Sequence, residues 1–169
     1  MSSRSQLVRS GVDPEGHRSL FVISGSTFSE LASASIVTGS RYFAALIVGD
    51  ATSVSVQEIG QLARSLLDAG CVYFCCWGPD CERVHDVIDE EYASDGITVH
   101  DDESTIMTTW HNGDSLEEAV WFALNSAFPD DRFFEECRAV VAICIGDESM
   151  TARMTAAFAY PTALVARDS

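Results

Sequence analysis

The stretch Tyr42-Phe-Ala-Ala-Leu-Ile-Val48, closed by Gly49-Asp50, decides how this chain reads. An uncharged run of this length is too short for a helix. It matches a strand buried on both faces, as in parallel sheets covered by helices. A helix follows from about Ser55, with Val56, Ile59, Ala63, Leu66 and Leu67 at helical spacing and Gly70 as its stop. Cys71-Val-Tyr-Phe-Cys-Cys-Trp77 repeats the strand pattern and is ended by Gly78-Pro79. A second helix covers about Asp80 to Tyr92.

Further along, Ser104-Thr-Ile-Met-Thr-Thr-Trp110 reads as a third strand, because β-branched residues suit a pleated surface. Asp114 or Ser115 caps a third helix that carries Leu116, Val120, Trp121 and Leu124 and ends before Pro129. After a short amphipathic piece with Phe133, Phe134 and Cys137, the fourth strand is Ala139-Val-Val-Ala-Ile-Cys-Ile145, closed by Gly146-Asp147. A fourth helix stacks Met150, Met154 and Phe158. A short edge strand is also expected at Leu20 to Ile23, and short strands at Ile97 to Val99 and Thr162 to Val165. Alternating strands and helices give parallel crossovers with helices on both faces. The expected fold is therefore α/β, a three-layer sandwich of Rossmann or flavodoxin-like type with four to six mostly parallel strands. It occupies residues 19–169, behind a polar amino-terminal arm at residues 1–18.

Composition narrows function mainly by exclusion. With 169 residues and 47% apolar content, the chain supports one domain with a full core. Its net charge of −16 repels phosphate backbones and anionic lipid surfaces, so neither nucleic acid nor membrane is an expected partner. A basic protein is the natural one, and a homodimer stays open. All 10 basic residues are arginine. GC-rich coding or adaptation to salt accounts for that, and the missing lysine excludes Schiff-base or Walker-type lysine chemistry. The six cysteines fall mostly inside strand-like runs, as reduced core thiols do, and no leader or membrane-spanning run is seen. A cytoplasmic location follows.

In open parallel sheets, ligands bind beyond the carboxyl ends of the strands. Four polar signatures stand at that edge here: Gly49-Asp50, Trp77-Gly78-Pro79-Asp80, Trp110-His111-Asn112-Gly113-Asp114 and Gly146-Asp147. Asp50 is the first functional candidate, because it precedes a loop longer than a cap requires. Asp114 and Asp147 are explained as helix caps, with ligand contact as the alternative. His111 has the chemistry of a general base, oriented by Asp50, Asp80 or Asp114, with a strand-end turn residue as the plainer reading. Trp77 and Trp110 suit the wall of a ligand pocket.

Cys81 and His85 stand one helical turn apart, a spacing that could activate a thiol or hold a soft metal. Cys81 shares its stripe with Val84 and Ile88, and no further ligand motif accompanies it, so core packing is the cheaper explanation and no metal site is read. No GxGxxG follows the first strand, and no phosphate loop or GxSxG elbow appears. No cofactor is assigned.

The runs Cys76-Trp-Gly-Pro-Asp-Cys-Glu-Arg-Val-His-Asp86, Thr108-Thr-Trp-His-Asn-Gly-Asp114 and Leu116-Glu-Glu-Ala-Val-Trp-Phe122 resemble motifs of an uncharacterised family of small bacterial proteins, a domain of unknown function. The resemblance spans about Tyr42 to Asp147 and implies a cytosolic α/β domain with no assigned activity. Three readings stand. The first is a non-enzymatic acidic binding or regulatory module, such as an accessory or immunity protein. The second is a small hydrolase or transferase with His111 as base, Asp50 and Asp80 around it and Cys81 as a candidate nucleophile. The third is a sensor of a small ligand or divalent cation.

Overall fold

In the computed structural model, residues 5–15, 17–94 and 105–162 are described. Six strands form one sheet in the order β1-β2-β6-β3-β4-β5. They are β1 Val8–Val12, β2 Ser19–Gly25, β3 Tyr42–Val48, β4 Cys71–Trp77, β5 Met107–Trp110 and β6 Cys137–Ile145. β1 pairs antiparallel with β2, and every other pairing is parallel. Three of the runs read from the sequence as strands, at 42–48, 71–77 and 139–145, thus lie side by side and point the same way, joined by residues 107–110 of the fourth. The expected strand at 97–99 lies outside the described residues, as do 163–165 of the last one.

The continuous apolar runs become central strands because both of their faces are covered. Phe43, Ala45, Ile47, Phe74, Cys76, Val141 and Ile143 join one apolar cluster. It includes Phe28 and Leu31 of α1 (Phe28–Ala32), Ile59, Leu62 and Leu66 of α2 (Val56–Ala69), and Val84 and Ile88 of α3 (Cys81–Ser94). The alternate residues Ala44, Leu46, Tyr73, Cys75, Val140 and Ala142 join a second cluster. That one includes Val120 and Leu124 of α4 (Leu116–Asn125) and Met154 and Phe158 of α6 (Glu148–Ala159). A short α5 spans Asp131–Phe134. Each large side chain buried this way contributes about 1.5–3 kcal/mol. α2 and α4 start on capping boxes, Ser55 with Glu58 and Ser115 with Glu118, in which hydroxyl and carboxylate satisfy each other's backbone N–H.

Within the stretch read as an arm, residues 8–12 form β1, and Asp13 and Arg18 are buried. Val8 and Val12 stay exposed, so β1 carries no apolar signature; backbone pairing with β2 holds it. Gly11 lies so close to the Phe158 carbonyl oxygen of α6 that any side chain there would collide.

β6, the last strand in sequence among the described residues, is inserted between β2 and β3. The helix that follows β3 enters the first apolar cluster, and the helix that follows β6 enters the second. Two neighbouring parallel strands therefore send their chains away in different directions, which opens a crevice beyond their carboxyl ends.

Candidate functional site

That crevice is a cavity of about 630 Å³. Turns after four strands build it. Ser26 and Thr27 come from the β2–α1 turn, Gly49, Asp50, Ser53 and Val54 from the β3–α2 loop, Trp77 and Pro79 from the end of β4, and Ile145 to Asp147 from the end of β6. The first turns of the helices add Phe28, Glu58 and Met150. Glycine sets the close approach between β3 and β4. Gly78 has φ +121°, and a side chain on it would run into the Gly49 carbonyl oxygen. Gly49 N–H donates to the Trp77 carbonyl at 3.2 Å and Ala51 N–H to the Pro79 carbonyl at 3.0 Å, locking the two turns together.

Asp50 and Asp147 occupy equivalent turns, Gly49-Asp-Ala-Thr52 and Gly146-Asp-Glu-Ser149. Asp50 Oδ1 accepts from Thr52 N–H at 2.9 Å and from Thr52 Oγ1 at 2.6 Å. Asp147 Oδ1 accepts from Ser149 N–H at 2.8 Å and from Ser149 Oγ at 2.7 Å. The hydroxyl contact foremost, then the N–H, holds each carboxyl below the usual aspartate range. Glu58 is lowered likewise by the Ser55 backbone and hydroxyl. Asp50 Oδ2 accepts no hydrogen bond among the described residues. The wall contains these three carboxylates and, among the described residues, no Arg, Lys, His or Cys. The remaining lining is mostly apolar: Phe28, Val48, Val54, Trp77, Pro79, Ile145 and Met150.

Of the residues nominated from the sequence, Asp50, Trp77 and Asp147 line this cavity; the others stand elsewhere. Asp80 sits at φ +65° at the entry to α3, and its Oδ2 accepts from Arg83 Nε at 2.7 Å. The same guanidinium donates to the carbonyls of Ala51 and Val54, so Asp80 and Arg83 pin the cavity loop from outside. Cys81 is buried in the first apolar cluster, and desolvation pushes its thiol pKa up, away from a reactive thiolate. His85 packs edge-on against Trp110 with centroids 4.5 Å apart, its nitrogens 3.0 Å from Asp86 and 3.5 Å from Asp89. Trp110 is 45% exposed on the edge strand.

His111 is buried, with Nδ1 3.0 Å from Asp114 Oδ2, Nε2 3.1 Å from Thr109 Oγ1 and the Phe122 ring 4.6 Å away. Both ring nitrogens are therefore partnered, as a buried imidazole requires. Of the three carboxylates considered for orienting His111, Asp114 is the one in contact. Trp77 bridges the two regions, since its Nε1 donates to the Asp114 carbonyl at 2.9 Å while its ring lines the cavity. Asp50, Asp80, His111 and Cys81 or His85 do not converge on one cavity. Sequence reasoning did not reach Ser26, Thr27, Phe28, Val54, Glu58 and Met150. A signal for the first of these was present: Gly25-Ser26-Thr27 follows an apolar run just as Gly49-Asp50 and Gly146-Asp147 do.

A sequence model of the family described as a domain of unknown function (DUF7684) matches residues 24–161. The chain belongs to this family. No curated protein matches the DUF7684 chain. The matched span is wider than the resemblance at 42–147 and takes in every cavity-lining residue of the DUF7684 domain, from Ser26 to Met150. β1, Asp13 and Arg18 precede it. Among the described residues, no three His, Cys, Asp or Glu side chains come together as metal ligands. Among the same residues, no helix is long and apolar enough to cross a membrane.

Proposed function

We propose that this domain is a non-enzymatic binding or regulatory module whose ligand enters the cavity at the carboxyl ends of β2, β6, β3 and β4. One observation carries the reading: the cavity has the size and apolar lining of a small-molecule site, yet among the described residues no imidazole, thiol or guanidinium lines it. Cys81 and His111 are buried and His85 is half-buried, all three outside the cavity, whose described wall offers only carboxylates for acid–base work. The fold belongs to the same proposal as a Rossmann-like three-layer arrangement, supported by two apolar clusters that draw on different helices. So does a cytoplasmic setting, supported by six buried free thiols.

Thermal-shift titration of the full chain against cationic, neutral and anionic small molecules tests the reading. A saturable rise in Tm from one charge class is expected, because a ligand that binds only the native state stabilises it. Turnover of ester, amide or phosphate substrates is expected to be nil. A second reading has an observation of its own: Thr109, His111 and Asp114 form a hydroxyl–imidazole–carboxylate line with the spacing of a hydrolase triad. Hydrolysis by the wild type that His111→Ala abolishes favours this alternative.

A further inference from the structure

We propose that the cavity takes an organic cation, an ammonium or guanidinium group carried on an apolar stem. The inference rests on the cavity being a binding site and adds the chemistry of what binds. Charge comes first. Asp50, Glu58 and Asp147 line a single space with no cationic side chain among its described walls, in a protein of net charge −16. Each carboxylate is fixed by its own turn or capping box, so a cation meets preorganised acceptors rather than mobile side chains.

Two competing ligand classes fit less well. An anion would need N–H donors, but the first turns of α2 and α6 are already capped by Ser55 and Asp147, and a carboxylate stands at each. A divalent metal would need oxygen ligands converging on a point, and these carboxylates are spread around the wall instead of grouped. The apolar surface of Phe28, Trp77, Ile145 and Met150 serves no hydrated ion, whereas it desolvates a hydrocarbon stem, and an indole is the best aromatic receiver of a cation. The stem has two sources, a free amine or guanidine or a basic side chain of a protein partner.

Isothermal titration of the full chain with agmatine tests the idea. Arms with pentan-1-ol, pentanoate, magnesium chloride and an acetylated Arg-Arg dipeptide amide accompany it. Asp50→Asn and Asp147→Asn keep the shape and capping ability of each turn while removing its charge. Each is expected to raise Kd for agmatine about tenfold, as the loss of one charge-assisted contact does. Glu135→Gln, on an exposed residue outside the cavity, is expected to leave it unchanged. Tighter binding of the dipeptide than of agmatine supports the cation and assigns it to a protein side chain; the reverse supports it and assigns it to a small molecule. Pentan-1-ol or pentanoate binding as tightly as agmatine, magnesium displacing it, or both Asn variants binding unchanged overturns the cation and leaves a binding module standing. Absence of binding in every arm overturns the module reading itself.

Discussion

The two ends of the strands treat charge in opposite ways. At the amino-terminal end, Arg18 is only 3% exposed. Its Nε meets Asp13 Oδ2 at 3.0 Å, and its Nη atoms donate to the carbonyls of Ala123, Leu124 and Ala127, closing the carboxyl end of α4. Its guanidinium lies 4.7 Å from the Phe128 ring centroid. At the carboxyl end, Asp50, Glu58 and Asp147 stand around open space with no cationic residue among its described lining. The buried Arg18 meets its counter-charge in Asp13, whereas the three carboxylates of the larger cavity have no cationic residue in its described lining. A smaller cavity of about 340 Å³ at the first end is lined by both partners of that ion pair, Asp13 and Arg18, so the ends differ in charge pairing.

The largest expected effect breaks the buried ion pair. Arg18→Ala strands a buried carboxylate, two carbonyls of the last turn of α4 and the Ala127 carbonyl just beyond it, so urea denaturation is expected to show about 3–5 kcal/mol less stability. Next comes His111→Ala, which removes a buried, doubly hydrogen-bonded ring from beside Phe122, with an expected loss of about 1–3 kcal/mol and no change in ligand binding. Trp77→Phe forfeits the indole N–H bond to the Asp114 carbonyl, about 1 kcal/mol. Unlike His111→Ala, it is expected to weaken the ligand too, which separates cavity wall from support.

Thiol titration sharpens the contrast further. Burial raises Cys75 and Cys144 to about 12 and Cys137 to about 11, and drives Cys71, Cys76 and Cys81 upward as well. None of the six thiols is therefore expected to react with a disulfide reagent in the native state, while all six react in denaturant. The smallest effect belongs to the open end. Asp50, Glu58 and Asp147 have lowered folded pKa values, so their contribution to stability is complete above the ordinary 3.8 for aspartate and 4.5 for glutamate. It is lost as pH falls through the folded values. Cation affinity is expected to be flat between about pH 5 and pH 8 and to decline only in acid.

The sequence made the central strands legible because burial on both faces writes a continuous apolar run, as at 42–48, 71–77 and 139–145. β1 was illegible for the opposite reason, being held by backbone pairing with its valines in solvent. Asp50, Trp77 and Asp147 could be placed at one edge because a polar turn after a parallel strand has only one place to go. The shared site expected for His111 could not be judged without strand order. β5 is the sheet edge, two strands from β3, and α4 folds over His111 with Phe122. The insertion of β6 between β2 and β3, which creates the cavity, is a tertiary choice that no local pattern encodes.

Amide-resolved NMR of the full chain during titration with agmatine addresses the open end most directly. Saturable shifts centred on Gly49, Asp50, Gly146 and Asp147 and on the Trp77 indole N–H are expected, with Arg18 and its neighbours unmoved. Shifts centred instead on His111 and Asp114, or no shifts at all up to saturating concentrations, would contradict the assignment of the cavity as the binding site.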